Sequence, residues 1–227
     1  MAESESLMIF GFILGFLVCT AQFLMAAEAA DADPLQDFCI ADNGSQITIN
    51  GFPCIPMSDV DASAFATSLL RQPRNDNPVQ GSAVNLANAI TFPALNTEGL
   101  SVARIDYRPR GLNPPHLHPL GTEVLFVAHG TLLVGFVSTS KRFYTQVLKE
   151  GDLFVFPRAL PHFQFNVDQR LPALAISSFN SQNPGVVRIV PSLLAAQPPL
   201  PTEVLQIALG IRDQQELARL IANAPTQ

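Results

Sequence analysis

Four side chains that can ligate a metal lie in two separate segments of this chain: His116, His118 and Glu123 in the first, and His162 in the second. Because alternate residues of a β-strand point to the same face, the pattern His116-x-His118 can direct two imidazoles at one point. Gly121 permits a bend that returns Glu123 to the same side, and His162 falls in a second β-rich segment. The chain must therefore fold so that two distant β segments become neighbours around these residues.

The chemistry of these four side chains predicts a divalent metal site. Three imidazole nitrogens and one carboxylate oxygen form a donor set of borderline hardness, which leaves positions for water or substrate. No cysteine belongs to the set, which argues against a closed structural zinc site. The donors favour six-coordinate Mn or Fe, and Zn, Ni and Cu remain alternatives. The fourth histidine, His129, precedes Gly130 at an expected hairpin, and we expect it to be a turn residue rather than a ligand.

Between residues 99 and 190 the sequence has the pattern of an all-β domain. Short runs rich in Val, Phe, Leu and Ile alternate with Gly, Pro and polar turns, which favours a sandwich or barrel such as a jelly roll. In the last run but one, His162, Gln164 and Asn166 would line a polar lumen, while Phe163 and Phe165 would pack in the core behind them. The expected strands are 99–107, 122–129, 131–138, 142–149, 152–157, 161–166 and 172–179.

Helical patterns flank this β region. Residues 61–70 could form a short helix started by Asp61. Beyond Pro191, apolar periodicity predicts helices at 202–209 and 212–223. These two helices either pack on the chain's own barrel or dock on a neighbouring subunit.

The N-terminal residues have the features of a secretory signal peptide. An apolar run at 8–25 is followed by the small residues Ala26, Ala27, Ala29 and Ala30, so we expect residues 1–30 to be removed by cleavage between 27 and 30. The alternative is an uncleaved membrane anchor, since the run approaches the length that spans a bilayer. The alanine-rich cleavage sites and Pro34 favour cleavage.

Secretion makes the cysteines informative. Once Cys19 leaves with the signal peptide, Cys39 and Cys54 remain as an even pair in an oxidising compartment. We predict that they form a disulfide, worth about 3 kcal/mol in the chain-entropy model, rather than two free buried thiols. The same loop holds Asn43-Gly-Ser45, the only glycosylation sequon in the chain, so Asn43 is the expected site of an N-linked glycan.

Two stretches resemble the paired boxes of the cupin superfamily, in the form found in plant germin-like proteins. The first, from Gly111 to Gly130, contains G-L-N-P-P-H-L-H-P-L-G-T-E, and the second, from Gly151 to Asn166, reads G-D-L-F-V-F-P-R-A-L-P-H-F-Q-F-N. The resemblance covers nearly the whole chain after residue 33. Flanking stretches that are similar to the same family lie at 34–39, 50–54, 130–136 and 181–185.

This resemblance implies an architecture and a cofactor. A single cupin jelly-roll β-barrel at 99–190 would follow a disulfide-clasped N-terminal extension at 31–98 and precede a C-terminal helical oligomerisation segment at 191–227. One manganese per chain is implied at the His/Glu cluster, with Fe or Zn as alternatives. Germins are similar proteins that assemble as trimers of dimers, so a homohexamer in the apoplast or cell wall is expected.

Four positions test the resemblance. The first box usually opens with a Gly-Gly pair and the second usually has Gly, yet Arg110 and Ala159 stand there, so we expect unusual backbone angles at both. Asn113 matches an asparagine regarded as a substrate contact in oxalate-oxidising relatives; its alternative role is that of a turn residue. Those relatives carry a second asparagine where this chain has Ala103, which offers no hydrogen bond, so we do not expect efficient oxalate oxidation.

These observations leave two main hypotheses open. The first is a manganese-dependent oxidoreductase of the superoxide dismutase type, acting on superoxide in plant defence. The second is a non-catalytic extracellular receptor, storage or structural protein that binds metal and a small ligand. Hydrolysis of nucleotide sugars ranks last, because no Lys/Arg cluster near the boxes would hold phosphates. A net charge of −6 gives no basic surface for nucleic acid, and we expect no membrane partner once the signal peptide is removed.

Overall fold

The computed structural model describes residues 36–47, 51–74, 77 and 79–224, so the expected signal peptide at 1–30 lies outside the described residues. Within this part of the chain, ten β-strands are followed by three α-helices. The strands are β1 Ser82–Ala87, β2 Ser101–Tyr107, β3 Leu112–Leu117, β4 Glu123–His129, β5 Thr131–Val137, β6 Phe143–Lys149, β7 Leu153–Phe156, β8 His162–Asn166, β9 Ala173–Phe179 and β10 Val187–Arg188. The helices are α1 Ile189–Leu194, α2 Thr202–Leu209 and α3 Gln214–Ala222.

The strands form two five-stranded antiparallel sheets, which confirms the all-β barrel. The first sheet has the order β1-β2-β9-β4-β7, and the second has the order β10-β3-β8-β5-β6. Neighbours that are distant in sequence, such as β2 beside β9, are typical of a jelly roll. Each sheet receives strands from both halves of the barrel sequence, and this brings the two histidine-bearing segments together.

The core lies between the two sheets. Strands β2 and β9 alternate strictly between buried and less buried residues, as expected when one face of a sheet is covered. Alternate side chains from both sheets therefore pack against one another and hold the sheets at a fixed separation. The central members of this cluster are Ile105, Leu125, Val127, Leu132, Val134 and Phe156.

Three strands lie outside the seven strand ranges expected from the sequence, although the interpretation of His116-x-His118 assumes β structure at one of them, β3. Strand β1 precedes residue 99, and β10 has only two residues. Strand β3 carries Pro114 and Pro115, which cannot donate to a strand ladder and so hide a strand from pattern reasoning. The register between β3 and β8 shifts between Asn113 and His116, where the two prolines lie.

The aromatic face of β8 was expected in the core, and this expectation was wrong for Phe163 and Phe165. His162, Gln164 and Asn166 are buried inside the barrel, whereas the two phenylalanines are only partly buried on the opposite face. Phe163 stacks near Phe143 with ring centroids 6.1 Å apart, and the Arg110 guanidinium lies 4.4 Å from the Phe165 ring centroid. The polar face of this strand is therefore its inner face.

The predicted disulfide closes a loop within the N-terminal extension. Cys39 and Cys54 are bonded, which confirms that prediction. The buried Asn96 side chain binds the loop between them: Phe52 N–H donates to Asn96 Oδ1 (3.0 Å), and Asn96 Nδ2 donates to Phe52 O (2.8 Å). The helix expected at 61–70 is a short 3-10 helix, Ala62–Phe65.

The two predicted C-terminal helices are present as α2 and α3. Each buries one leucine, Leu205 and Leu217 respectively. Much of their remaining apolar surface is exposed, including Val204, Ile207, Leu220 and Ile221. None of the helices in the described residues is long and apolar enough to cross a bilayer.

Candidate metal centre

Both sheets contribute to the centre at one end of the barrel. His116 of β3 lies opposite His162 of β8 in the second sheet, and their ring centroids are 4.2 Å apart. His118 follows the last residue of β3, and Glu123 is the first residue of β4 in the first sheet. The structure brings all four side chains together: one ligand atom from each lies within 4.8 Å of the others.

Each of the three imidazoles is held by a backbone carbonyl at Nδ1. A carbonyl oxygen only accepts hydrogen bonds, so Nδ1 carries a proton, and in the neutral imidazole Nε2 then holds the lone pair. This arrangement fixes ring orientation and directs Nε2 toward the centre. The three pairs are His116 with Pro114 O (2.8 Å), His118 with Gly185 O (2.5 Å) and His162 with Leu160 O (2.8 Å).

The carboxylate of Glu123 is buried and held on both sides, with 1% of the residue exposed. Its Oε2 lies 3.2 Å from His118 Nε2 and 3.1 Å from His162 Nε2. Its Oε1 accepts hydrogen bonds from Ser177 Oγ at 2.6 Å and Gln164 Nε2 at 3.2 Å. Ser177 and Gln164 thereby position the oxygen that does not face the histidines.

The protonation states suit metal ligands. Burial, together with the neighbouring His162, lowers the pKa of His116 to about 3, so its imidazole is neutral at ordinary pH. Burial alone would raise the pKa of Glu123, but its contacts with His118 and His162 hold it well below its usual range. A charged Glu123 carboxylate and a neutral His116 imidazole are the forms that a metal ion binds.

The donor set fits a divalent metal ion. Three Nε2 lone pairs and an anionic oxygen converge in a buried space, and facing acceptors of this kind need a cation between them. Nitrogen and oxygen donors without sulfur match Mn, Fe or Zn. A metal-binding group of three histidines and one glutamate is present in the described residues.

A cavity of about 330 Å³ opens beside this group. Asn113 lies in β3 rather than in a turn and lines the cavity, where its Nδ2 donates to Gln164 Oε1 at 2.7 Å. Ala103, which is 1% exposed, forms part of the same wall. His129 lies away from the centre, exposed, with Nδ1 3.2 Å from Glu150 Oε2.

Ser177 is a functional residue that sequence reasoning missed. In β9 the inward positions are otherwise apolar, and the serine interrupts them opposite Leu125, from where its hydroxyl reaches Glu123. An isolated small polar residue in an apolar strand face was the available signal, since a buried hydroxyl requires a partner. Gly185 was missed as a hydrogen-bond partner because its contribution is a backbone carbonyl.

The two unusual box positions have the expected backbone geometry. Arg110 has φ 60° and Ala159 has φ 61°, both in the left-handed region that favours glycine. Ala159 N–H donates to His118 O at 3.0 Å, which connects this turn directly to a metal ligand. The prediction of unusual angles at both positions is therefore confirmed.

Comparison with known proteins identifies the family. Residues 68–217 match the family model described as Cupin. Germin-like protein 8-11 of Oryza sativa subsp. japonica is 46% identical, over 86% of this chain and 90% of that protein. Germin-like protein subfamily 2 member 4 of Arabidopsis thaliana is 47% identical, over 87% and 90%.

A solved structure points the same way. Oxalate oxidase in complex with the substrate analogue glycolate is 41% identical, with a TM-score of 0.81 over 85% of this chain and 97% of that chain. The resemblance of the two boxes, the two-sheet barrel and the His/Glu centre agree with these matches. The chain therefore belongs to the germin-like family and carries a cupin domain.

Proposed function

We propose that this protein is a secreted manganese protein of the plant cell wall that converts superoxide to dioxygen and hydrogen peroxide, with a role in defence. The observation that carries the proposal is the convergence of three imidazole Nε2 atoms and the Glu123 carboxylate, of which His116, His118 and Glu123 line a cavity. A metal held at a cavity wall remains accessible to a small substrate. A closed structural site has no such opening.

The residues of this chain would hold manganese rigidly. His116, His118 and His162 would each present Nε2, because carbonyl oxygens fix their Nδ1 protons. When bound, manganese would supply one-electron chemistry between its Mn(II) and Mn(III) states. Zinc would fit the same donors but has no redox chemistry, so metal identity decides whether the activity is possible.

Efficient oxalate oxidation is not part of the proposal. Although a solved oxalate oxidase is a relative, the wall of the cavity carries the methyl group of Ala103. A methyl group donates no hydrogen bond to a developing charge, and loss of one such donor typically lowers a rate by about 10²–10³. The neighbouring Asn113 would remain as a contact for substrate or water.

The direct test is superoxide dismutation by secreted, manganese-loaded protein, normalised to bound metal, beside the His162→Ala variant. Activity that rises in proportion to bound manganese and is lost in the variant supports a redox enzyme. Stoichiometric manganese with no activity above that of free manganese contradicts it. A variant that loses metal and keeps activity also contradicts it.

The second candidate is a non-catalytic binding protein, such as a receptor or storage cupin. It is favoured by a specific observation: the cavity of about 330 Å³ is in the range of small-molecule sites and is lined largely by apolar side chains. Saturable binding of a small organic ligand without turnover would distinguish this function from dismutation.

We also propose secretion, glycosylation at Asn43 and assembly with copies of the same chain. Asn43 is exposed, and one of its amide hydrogens bonds to Ile90 O at 3.2 Å. Mass spectrometry of protein recovered from the apoplast would test both the cleavage between residues 27 and 30 and the glycan. For assembly, a second copy is the expected partner of the exposed apolar surface on α2 and α3, and a hexamer is the expected form.

A further inference from the structure

Arg188 lines the metal-site cavity. It lies directly opposite His116 in the antiparallel pair of β10 and β3. Opposite residues in such a pair present their side chains on the same face of the sheet. The side chain is partly buried, and it therefore lies on the inner face beside a metal ligand.

The positive charge of Arg188 has no partner among the described residues: no hydrogen bond, ion pair or aromatic contact in that part of the chain engages it. Glu123, the acidic residue that lines the cavity, is already held by Ser177 and Gln164. A guanidinium does not lose its proton at physiological pH. A fixed cation without a protein partner is therefore available to a ligand in the cavity.

The remaining wall is mostly apolar. Its volume of about 330 Å³ exceeds the space that a two-atom substrate needs and is typical of a small organic ligand. One cationic anchor on an apolar wall matches a molecule with one negative end and an apolar body. The apolar side chains that would contact this body are Val84, Leu86, Ala103, Ile105, Phe179 and Val186.

We propose that the cavity binds a small organic monocarboxylate, with its carboxylate held by the Arg188 guanidinium and its apolar body against these six side chains. The planar guanidinium donates parallel hydrogen bonds that match a carboxylate. The proposal deepens the binding role proposed above, and it rests on the metal site only for placing the carboxylate beside His116.

Benzoate and its neutral analogue benzamide are suitable probes, because they share an apolar ring and differ in charge. Calorimetric titrations would compare the unmodified protein, Arg188→Gln and Arg170→Gln, with metal content measured for each sample. Arg170→Gln removes the same charge from an exposed residue that does not line the cavity. We expect Arg188→Gln to weaken benzoate binding about tenfold or more, since a hydrogen bond to a charged group is lost. Benzamide binding should be equal in all three proteins.

The titrations are made on manganese-loaded and on chelator-treated protein, because the Arg188 contact does not require metal. Failure to bind manganese or to dismutate superoxide would overturn the proposed enzyme and leave this comparison intact. Equal benzoate affinity in Arg188→Gln and the unmodified protein overturns the proposal. So does benzamide binding as tight as benzoate binding. Circular dichroism of Arg188→Gln verifies that the variant is folded.

Discussion

His116 lies directly opposite His162 in the β3–β8 pair, with ring centroids 4.2 Å apart, although two prolines shift the register just before His116. Directly opposite residues in antiparallel strands have Cβ atoms about 4.5–5.5 Å apart. Strand pairing alone thus places two of the three imidazoles, independently of the conformation of the loops. The site depends on the loops only for His118, which lies between β3 and β4.

Glu123→Gln should abolish tight metal binding without unfolding the protein. The amide oxygen can still accept from Ser177 and Gln164, while the amide nitrogen can donate to the Nε2 atoms of His118 and His162. We expect the affinity for Mn(II) to fall at least about a hundredfold, because changing residues that only support a ligand already costs 10–100-fold. Bound manganese after dialysis and thermal unfolding of metal-free protein are the measurements. The control is Glu150→Gln, an exposed residue outside the centre, and unchanged Mn(II) affinity in Glu123→Gln would refute the assignment.

Ser177→Ala should weaken metal binding through Glu123. The variant removes the 2.6 Å hydrogen bond to Oε1 and leaves a buried carboxylate with one donor fewer. We expect a roughly 10–100-fold loss of Mn(II) affinity. The matched control is Ser178→Ala, since Ser178 is the next residue of β9 and is exposed. Equal affinities in the two variants would show that Ser177 has no positioning role.

Ala159→Gly should stabilise the fold. Alanine in the left-handed region costs roughly 1–2 kcal/mol, and the added freedom of glycine in the unfolded chain offsets about 0.4–1 kcal/mol of the gain. The net increase in the free energy of unfolding should be about 0.5–1 kcal/mol, measured by denaturant titration. The opposite kind of change, Gly151→Ala, should destabilise the fold, because Gly151 has φ 92°, which an alanine adopts only with strain. A Cβ at this position would meet no other atom within 4 Å, so the loss would report the backbone conformation alone. A destabilised Ala159→Gly would contradict the backbone argument.

Ala103→Asn should increase oxalate-dependent production of hydrogen peroxide. The variant places an amide on the cavity wall, where the present methyl group makes no hydrogen bond. We expect at least a roughly tenfold increase per bound manganese, because a correctly placed donor is worth about 10²–10³ in rate and this one is not optimised. Ala103→Val adds bulk without a donor and is the control. If both variants have the same rate, the absence of an asparagine does not explain low oxalate activity.

Ile207→Asp should disrupt assembly between copies of the chain. Ile207 is 76% exposed on α2, and an aspartate would bury a charge if this surface packs against a partner. Light scattering coupled to gel filtration should show six chains for the unmodified protein and a smaller species for the variant. Thr202→Asp, at an exposed polar position on the same helix, should leave the mass unchanged. A variant with the mass of the unmodified protein would place the interface elsewhere.

The metal ligands were predictable from the sequence because their spacing and side-chain chemistry are local properties. The carbonyl oxygens of Pro114, Leu160 and Gly185 were not, since every residue carries a carbonyl and only the folded chain selects three of them. The inner face of β8 was assigned correctly as polar. The opposite face of β8, with Phe163 and Phe165, was wrongly predicted to lie in the core. Alternation along a strand separates its two faces but does not show what covers the second one.

Strand β3 illustrates the same limit for the fold. Two adjacent prolines are evidence against a strand when only the sequence is considered. In the barrel, β8 on one side and the short β10 on the other pair with the residues around the prolines, so the strand persists. Tertiary pairing here outweighs the local preference of the chain.

Because Glu123 belongs to one sheet and His116 and His162 belong to the other, a bound ion would cross-link the two sheets. Separating the sheets would then require releasing the ion, and free metal would raise the free energy of unfolding by RT ln(1 + [metal]/Kd). The free energy of unfolding would rise by about 1.4 kcal/mol for each tenfold increase of free metal above Kd. The stability of the folded protein would therefore depend on the metal supply of its compartment. Metal occupancy would thereby decide how long the protein persists as well as what it does.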